Sequence, residues 1–168
     1  MERWRRIDAA PEPEARELLR TCCGSTRWID RMLARRPLGS RDSALRAARD
    51  EWFALSPDDW IEAFNHHPRI GDREAMRTRF AATRIMSEGE QSGVSGASEE
   101  VLTALLDGNR EYESRFGYLF IVCATGKSAE EMLDLLRQRL DNDPAIEITV
   151  AAEEHAKICD LRLRSPAL

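Results

Sequence analysis

The chain has 168 residues, with 25 lysines and arginines against 30 aspartates and glutamates, and a net charge of -5. A chain of this length buries roughly 70% of its unfolded surface without metal or disulfide cross-links, which predicts a single domain over residues 1–168. Because the charges are interleaved, no basic stripe suits a nucleic acid, and no apolar stretch is long enough for a signal peptide or a membrane span. The composition therefore predicts a soluble, cytoplasmic protein without nucleic-acid or membrane partners.

The four cysteines predict buried, reduced thiols. Cys22 and Cys23 are adjacent, Cys123 and Cys159 are isolated, and no Cys-x-x-Cys pair occurs. This spacing favours neither a disulfide framework nor a zinc knuckle.

Helical periodicity dominates the chain from its first third onward. The first two patterns, "STRWIDRMLARRPLG" and "DSALRAARDEWFAL", predict one helix that ends at Pro37 and a second that follows it. The apolar positions at helical spacing are Trp28, Met32 and Leu33 in the first pattern and Leu45, Ala48 and Trp52 in the second.

The next helix is predicted in "SPDDWIEAFNHHP". Ser56 is a candidate N-cap, Pro57 suits the first helical position, and two aspartates in the first turn complement the helix dipole. Trp60, Ile61 and Phe64 form its apolar side. Pro68 disfavours helical backbone at the residue before it, so the helix is expected to deliver His67 at its end.

Three more helices are predicted in the second half of the chain. One starts at the cap Ser98 and stops at Gly117, the next carries a capping box at Ser128 and Glu131, and the last starts at Asp143 and runs to about Arg164. Residues 118–124, "YLFIVCA", have no second strand to pair with and are interpreted as a buried extended or helical segment. The patterns predict an all-α helical bundle of about seven to nine helices.

Three places carry side chains suited to catalysis. His67 is either a histidine that balances a helix dipole or an acid/base group held at a helix end. The stretch "SEGEQSG" contains Ser87, Glu90 and Gln91, and is either a solvated linker or the source of a carboxylate that orients an imidazole. Arg162 either pairs with a structural glutamate or binds a substrate carboxylate with its planar fork.

A metal site built from His66, His67 and His155 is the alternative for the histidines. Adjacent residues of a helix point in different directions, and no H-E-x-x-H motif or carboxylate triad accompanies them. The sequence therefore favours no metal site.

Several segments, in their order and spacing, resemble one family, the 2-oxo-4-hydroxy-4-carboxy-5-ureidoimidazoline (OHCU) decarboxylases of urate breakdown. The segments are "CGSTRWIDRMLARRP", "HHPRIGD", "SEGEQSG", "NREYESRFGYLFIVCATGKS" and "ICDLRLRS". The resemblance implies an all-helical, homodimeric lyase that needs no cofactor or metal and makes (S)-allantoin and carbon dioxide from a small ureidoimidazoline carboxylate.

The resemblance also implies the site residues. His67 would be the catalytic acid/base and Glu90 its carboxylate partner. Substrate contacts would come from Pro68, Ser87, Gln91, the segment Phe120, Ile121, Val122, Cys123 and Ala124, and Arg162. The sequence has Gly89 where a larger residue is common, and it ends in "PAL" rather than in a peroxisomal tripeptide.

Two other functions remain open at the level of sequence. The first is a non-catalytic helical interaction domain on the same scaffold, which retention of His67, Glu90, Gln91 and Arg162 disfavours. The second is a hydrolase of a related ureide, which would need an activated water and usually a metal.

Overall fold

The structure is a computed structural model that describes residues 1–69, 74–75, 77–78 and 98–166. These residues contain eight named helices and no β-strand beyond one isolated bridge between Glu2 and Pro166, so the all-α prediction is confirmed. The helices are α1 (Arg3–Ala9), α2 (Glu12–Cys22), α3 (Thr26–Ala34), α4 (Arg41–Phe53), α5 (Pro57–Asn65), α6 (Glu99–Phe116), α7 (Ala129–Leu140) and α8 (Pro144–Arg164). In the part of the chain that the structure covers, no helix has both the length and the apolarity to cross a membrane.

Most of the predicted helix boundaries are confirmed, because local capping chemistry sets them. Ser56 and Ser128 each complete a capping box, and the Ser98 hydroxyl accepts from the Val101 amide. Gly117 ends α6 with a left-handed φ of 83° that glycine adopts without strain. Helix α3 ends at Ala34, three residues before Pro37.

The chain divides into two compact units. The first comprises Met1–His67 and Ile148–Leu168, and the second comprises Pro68–Glu147. Helix α8 contributes its first turn to the second unit and the rest of its length to the first.

Indole rings organise the core of the first unit. Trp28 and Trp52 are buried, and their Nε1 atoms donate to the carbonyls of Ala48 at 3.0 Å and Ala152 at 2.9 Å. These bonds satisfy the polar atom of a large apolar side chain, which is the usual condition for burying tryptophan. The buried positions include Met32, Leu45, Ala48 and Phe64 as the periodicity predicts, whereas Leu33, Trp60 and Ile61 are half-buried.

A buried carboxylate joins α3 to α4 in the same unit. Glu51 is only 6% exposed and accepts hydrogen bonds from the Nε atoms of Arg31 and Arg35, the latter at 2.6 Å. The hydrogen bond from Arg31, followed in effect by that from Arg35, holds the pKa of Glu51 below its ordinary value, although burial opposes the shift.

The second unit packs α6 and α7 around buried leucines and one tyrosine, namely Leu102, Leu105, Leu136 and Tyr112. Residues 119–124 between these helices have no regular secondary structure, and Ile121, Val122 and Cys123 are buried. The prediction of a buried segment outside any strand is confirmed there, and the segment is not helical.

Candidate active site

The end of α5 holds His67 as the sequence predicts. The helix ends at Asn65, His66 occupies the C-cap, and the His67 amide donates to the Phe64 carbonyl at 3.2 Å. His66 and Pro68 are exposed, whereas His67 is half-buried. A titratable ring is therefore fixed at a helix end with one side in the protein.

The ring of His67 contacts a second, fully buried histidine. His155 lies on α8 with its ring centroid 5.2 Å from that of His67, and the two planes are almost perpendicular at 89°. On another side His155 stacks on Trp52 at 4.4 Å. Burial, followed by the nearby His67 and Arg162, lowers the pKa of His155 well below its ordinary value, so this imidazole is neutral near pH 7.

Arg162 lies in the same unit as the two histidines. It is half-buried, and its Nη1 donates to the Cys22 carbonyl at 3.1 Å. No carboxylate pairs with it among the residues described, so the salt bridge to a structural glutamate is not found there. The Cys22 carbonyl is the one acceptor of the five guanidinium donors in the described part of the chain.

Residues 120–124 belong to the second unit, where several of their carbonyls already accept hydrogen bonds. The Ile121 carbonyl accepts from Arg139 Nη1 at 2.6 Å, and the Cys123 carbonyl accepts from Lys127 Nζ at 2.9 Å. The Ala124 carbonyl accepts from the Lys127 amide at 3.0 Å. These bonds fix the path of the segment and occupy part of its hydrogen-bond acceptor capacity.

The sequence reasoning missed the buried ion pair that holds this segment. Arg139 and Glu147 are 6% and 0% exposed, and Arg139 Nη2 lies 2.6 Å from Glu147 Oε1. Tyr112 donates to the same oxygen, and the Arg139 guanidinium lies 4.5 Å from the ring centroid of Phe120. Burial first, and then the bond to Glu147, raise the pKa of Tyr112. Arginine and glutamate are ordinary surface residues of a helix, so no local pattern indicated this pair.

A second group that sequence spacing did not indicate is formed by Cys23, His155 and Cys159. The four cysteines are buried, as predicted, and Cys159 Sγ also lies 3.7 Å from His155 Nδ1. The hydrogen bond with Cys23, with burial next in effect, raises the pKa of Cys159 well above its ordinary value. The only sequence signal is the spacing of four between His155 and Cys159, which places both on one face of α8.

Ser87, Glu90 and Gln91 lie outside the described residues. The structure thus brings His67 and Arg162 into one unit with His155, which the sequence indicated only as a possible metal ligand, and places Phe120 to Ala124 in the other. The pairing of His67 with Glu90 stays a prediction.

Comparison with known proteins identifies the family. The family model described as OHCU decarboxylase matches residues 8–164. A uric acid degradation bifunctional protein, TTL, of Arabidopsis thaliana is 35% identical over 145 residues, which are 86% of this chain and 44% of that protein. The OHCU decarboxylase of Amia calva is 37% identical over 98 residues, which are 58% of this chain and 55% of that protein. The chain thus covers about half the length of these curated relatives.

Solved structures agree with the family model. A crystal structure of OHCU decarboxylase in the presence of (S)-allantoin has a TM-score of 0.70 and 34% identity, covering 86% of this chain and 92% of that one. A crystal structure of (S)-allantoin synthase, at 17% identity and a TM-score of 0.69, supports the fold alone. With the family model covering nearly all of its length, the chain belongs to the OHCU decarboxylase family.

Proposed function

We propose that this protein decarboxylates 2-oxo-4-hydroxy-4-carboxy-5-ureidoimidazoline to (S)-allantoin and carbon dioxide, as a cofactor-independent lyase of urate catabolism. The observation that carries the proposal is the match to the OHCU decarboxylase model over residues 8–164. The placement of His67, half-buried at the end of α5 in the same unit as Arg162, is additional support.

The reaction requires the protein to orient the substrate and to transfer protons. The substrate carbon bears a hydroxyl and a carboxylate, and its neighbour is doubly bonded to nitrogen. When the bond to carbon dioxide breaks, its electron pair flows into this C=N bond, so the substrate is its own electron sink. The protein must hold the breaking bond perpendicular to the ring, accept the hydroxyl proton and protonate the adjacent carbon on one face.

The proposed roles follow from these requirements. His67 moves the protons, and Glu90 orients its imidazole and raises its basicity. Arg162 anchors an anionic or carbonyl group, with Ser87 and Gln91 as further hydrogen-bonding residues. Pro68 and the segment from Phe120 to Ala124 shape the pocket.

The wider proposals are one family domain over residues 1–168, a cytoplasmic location and a homodimer. The family model, which spans residues 8–164, supports the first. The homodimer rests on the resemblance, and sedimentation equilibrium at micromolar concentration tests it: a mass near 19.1 kDa, that of one chain, would contradict it.

Replacement of His67 tests the catalytic proposal. We expect His67→Asn to lower kcat by about 10²-fold or more, the usual contribution of a positioned acid/base, and Glu90→Gln to do nearly as much. The matched control is His66→Asn, since His66 is the exposed neighbour of His67 on the same turn. Absorbance loss of freshly generated substrate measures the rate, and unfolding curves verify that each variant folds. A His67→Asn variant with the kcat of the wild type would refute the proton-transfer role.

The stereochemistry of the product tests the pocket as a whole. In water the decarboxylated intermediate is protonated on either face and gives racemic allantoin, whereas a fixed donor supplies the proton from one face. Circular dichroism of product formed within minutes should therefore show the S enantiomer. Racemic product from an accelerated reaction would mean protonation after release and would restrict His67 to assisting the loss of carbon dioxide. No acceleration at all would favour the non-catalytic interaction domain.

A further inference from the structure

Three potential metal ligands that are distant in sequence meet inside the first unit. Cys23 is the C-cap of α2, while His155 and Cys159 lie one turn apart on α8. One ring nitrogen of His155 and the two Sγ atoms all lie within 4.8 Å of one another. Cys23 and His155 are 0% exposed and Cys159 is 4% exposed, so the group belongs to the core rather than to the surface.

The dimensions of the group suit a thiophilic ion. Zinc binds sulfur at about 2.3 Å and imidazole nitrogen at about 2.0–2.1 Å, which places neighbouring ligands of a tetrahedral ion roughly 3.5–3.8 Å apart. The distance from Cys159 Sγ to His155 Nδ1 is 3.7 Å, which already matches such an edge. The other two edges have an upper limit of 4.8 Å and therefore require contraction by at most about 1.3 Å.

Hydrogen bonds already hold two members of the group in place. The Cys159 thiol donates to the Cys22 carbonyl at 3.2 Å and lies beside Nδ1 of His155, so Nδ1 is the ring nitrogen that would bind the ion. Two thiolates would neutralise a divalent cation, and a neutral imidazole would add no charge, so the bound group would bury no net charge.

We propose that Cys23, His155 and Cys159 bind a thiophilic divalent ion, Zn²⁺, with a water molecule or another small ligand in the fourth position. The ion would link the end of α2 to α8 within the first unit and stabilise their packing. The role proposed for the ion is structural, because the proposed decarboxylation needs no Lewis acid, although its ligand His155 also contacts His67.

Metal binding to the purified full chain tests the proposal. After treatment with a strong chelator and its removal, the protein is titrated with Zn²⁺ alone in competition with a chromophoric chelator. We expect one ion per chain, and a rise in Tm of about 5–10 °C when free Zn²⁺ exceeds the dissociation constant a hundredfold. Failure to bind one equivalent more tightly than the competing chelator would overturn the proposal.

Variants assign the ligands. Cys159→Ser and Cys23→Ser should each weaken Zn²⁺ binding at least 100-fold. The matched control is Cys22→Ala, because Cys22 is adjacent to Cys23 and equally buried, but its Sγ donates to the Leu18 carbonyl at 3.5 Å and is not in the group. The Cys22→Ala variant should still bind one Zn²⁺ ion per chain. Wild-type affinity in both serine variants would assign the ion to another site.

Cobalt spectroscopy of the wild-type chain covers the case in which a cysteine variant does not fold. Co²⁺ bound by thiolates in a tetrahedral site gives an intense near-ultraviolet sulfur-to-metal band and strong visible bands, and one equivalent of Zn²⁺ should abolish both. Weak visible absorption without the sulfur band would mean binding to surface carboxylates and would overturn the proposal.

Discussion

At the scale of single residues, Arg162 is held by the fold at the position for which substrate binding is proposed. Its hydrogen bond to the Cys22 carbonyl holds the guanidinium at a half-buried position, and no described carboxylate neutralises it. A positive charge so placed adds to the burial of His155 in lowering the pKa of that imidazole. The arrangement supports the proposed role of Arg162 as an anchor for an anionic group of the substrate.

Replacement of Arg162 separates binding from chemistry. We expect Arg162→Ala to raise KM by about 10- to 100-fold, because a hydrogen bond to a charged group contributes about 1.5–3 kcal/mol. Arg162→Lys should recover only part of the loss, since the planar fork is gone. Steady-state kinetics measure both variants, and thermal unfolding checks the effect of losing the bond to Cys22. If Arg162→Ala had the KM and kcat of the wild type, the role of Arg162 would be purely structural.

Gly24 is a residue whose importance lies in what its missing side chain permits. A Cβ atom at this position would lie 2.3 Å from both Cβ and Cγ of His66, closer than such atoms approach in proteins. His66 directly precedes His67, so the close approach of the two chain segments helps to position the end of α5.

Gly24→Ala should therefore destabilise the protein and disturb the site together. We expect a loss of about 1–3 kcal/mol in the free energy of unfolding, typical of overpacking, with a lower kcat at temperatures where the variant is folded. The control is Gly108→Ala, where the added Cβ meets chiefly the Leu136 Cδ2 at 2.6 Å, the far end of a flexible side chain. Urea unfolding and steady-state kinetics compare the Gly24→Ala and Gly108→Ala variants with the wild type. A free energy of unfolding that is equal in Gly24→Ala and the wild type would contradict the expectation.

At the scale of secondary-structure elements, buried ion pairs connect neighbouring helices. Local sequence signals define each of these helices separately and do not indicate the ion pairs. Glu51 joins α4 to the end of α3 in the first unit, and Glu147 with Arg139 joins α8 to α7 in the second. Arg139 also binds the Ile121 carbonyl, so this pair fixes the segment to which substrate contacts are assigned. Removal of one partner from a buried ion pair lowers the free energy of unfolding more than removal of one partner from an exposed pair, because it leaves an unpaired charge in the interior.

The pairing of Glu51 with two arginines predicts that the free energy of unfolding depends on pH. Its pKa in the folded protein is below the ordinary 4.5, so the carboxylate stabilises the fold above that value, and the contribution is lost as the pH falls through the lowered pKa. Glu51→Gln should cost about 1–3 kcal/mol of unfolding free energy at pH 7. The difference in unfolding free energy between Glu51→Gln and the wild type should become smaller below pH 4.5, because the wild-type carboxyl then also loses its charge.

Urea unfolding at neutral and acid pH measures this narrowing. The control is Glu153→Gln, whose ion pair with Arg49 at 3.2 Å is exposed and should contribute less than about 1 kcal/mol at either pH. A Glu51→Gln deficit that is the same at both pH values would show that it arises from packing rather than charge.

At the scale of the whole molecule, the proposed structural ion and the proposed reaction are separable. The reaction uses the C=N bond of its substrate as electron sink, so a metal is not needed to stabilise the developing charge. The proposed zinc ligands, by contrast, join segments more than 130 positions apart along the chain. Removal of the ion should consequently affect stability and leave chemistry intact.

Exhaustive chelation tests that separation. The metal-free protein should retain the kcat of the zinc-loaded protein well below its Tm, while its Tm falls by about 5–10 °C. Activity and thermal unfolding are measured on the same samples, with zinc-reconstituted protein as control. Activity that disappears on chelation and returns with Zn²⁺ would contradict the separation, and formation of a hydrolysis product in place of allantoin would favour a metal-assisted ureide hydrolysis.

The sequence by itself determined the helical class and many helix boundaries, because these depend on neighbours in the chain. Ser56, Ser98 and Ser128 cap the helices that follow them, and Gly117 ends α6, through interactions within a single turn. Pro68 likewise placed His67 at the end of a helix. The spaced motifs indicated the family whose model matches residues 8–164.

Only the tertiary structure decided which polar side chains became buried together. Cys23 meets Cys159 and His155, and Arg139 meets Glu147, although each residue type is unremarkable in its own segment. Such contacts depend on how helices pack, and helical periodicity shows which face is buried without showing what that face meets. His67 acquired the neutral His155 as a neighbour in the same way, since burial against Trp52 and the nearby positive charge of Arg162 disfavour protonation of that ring.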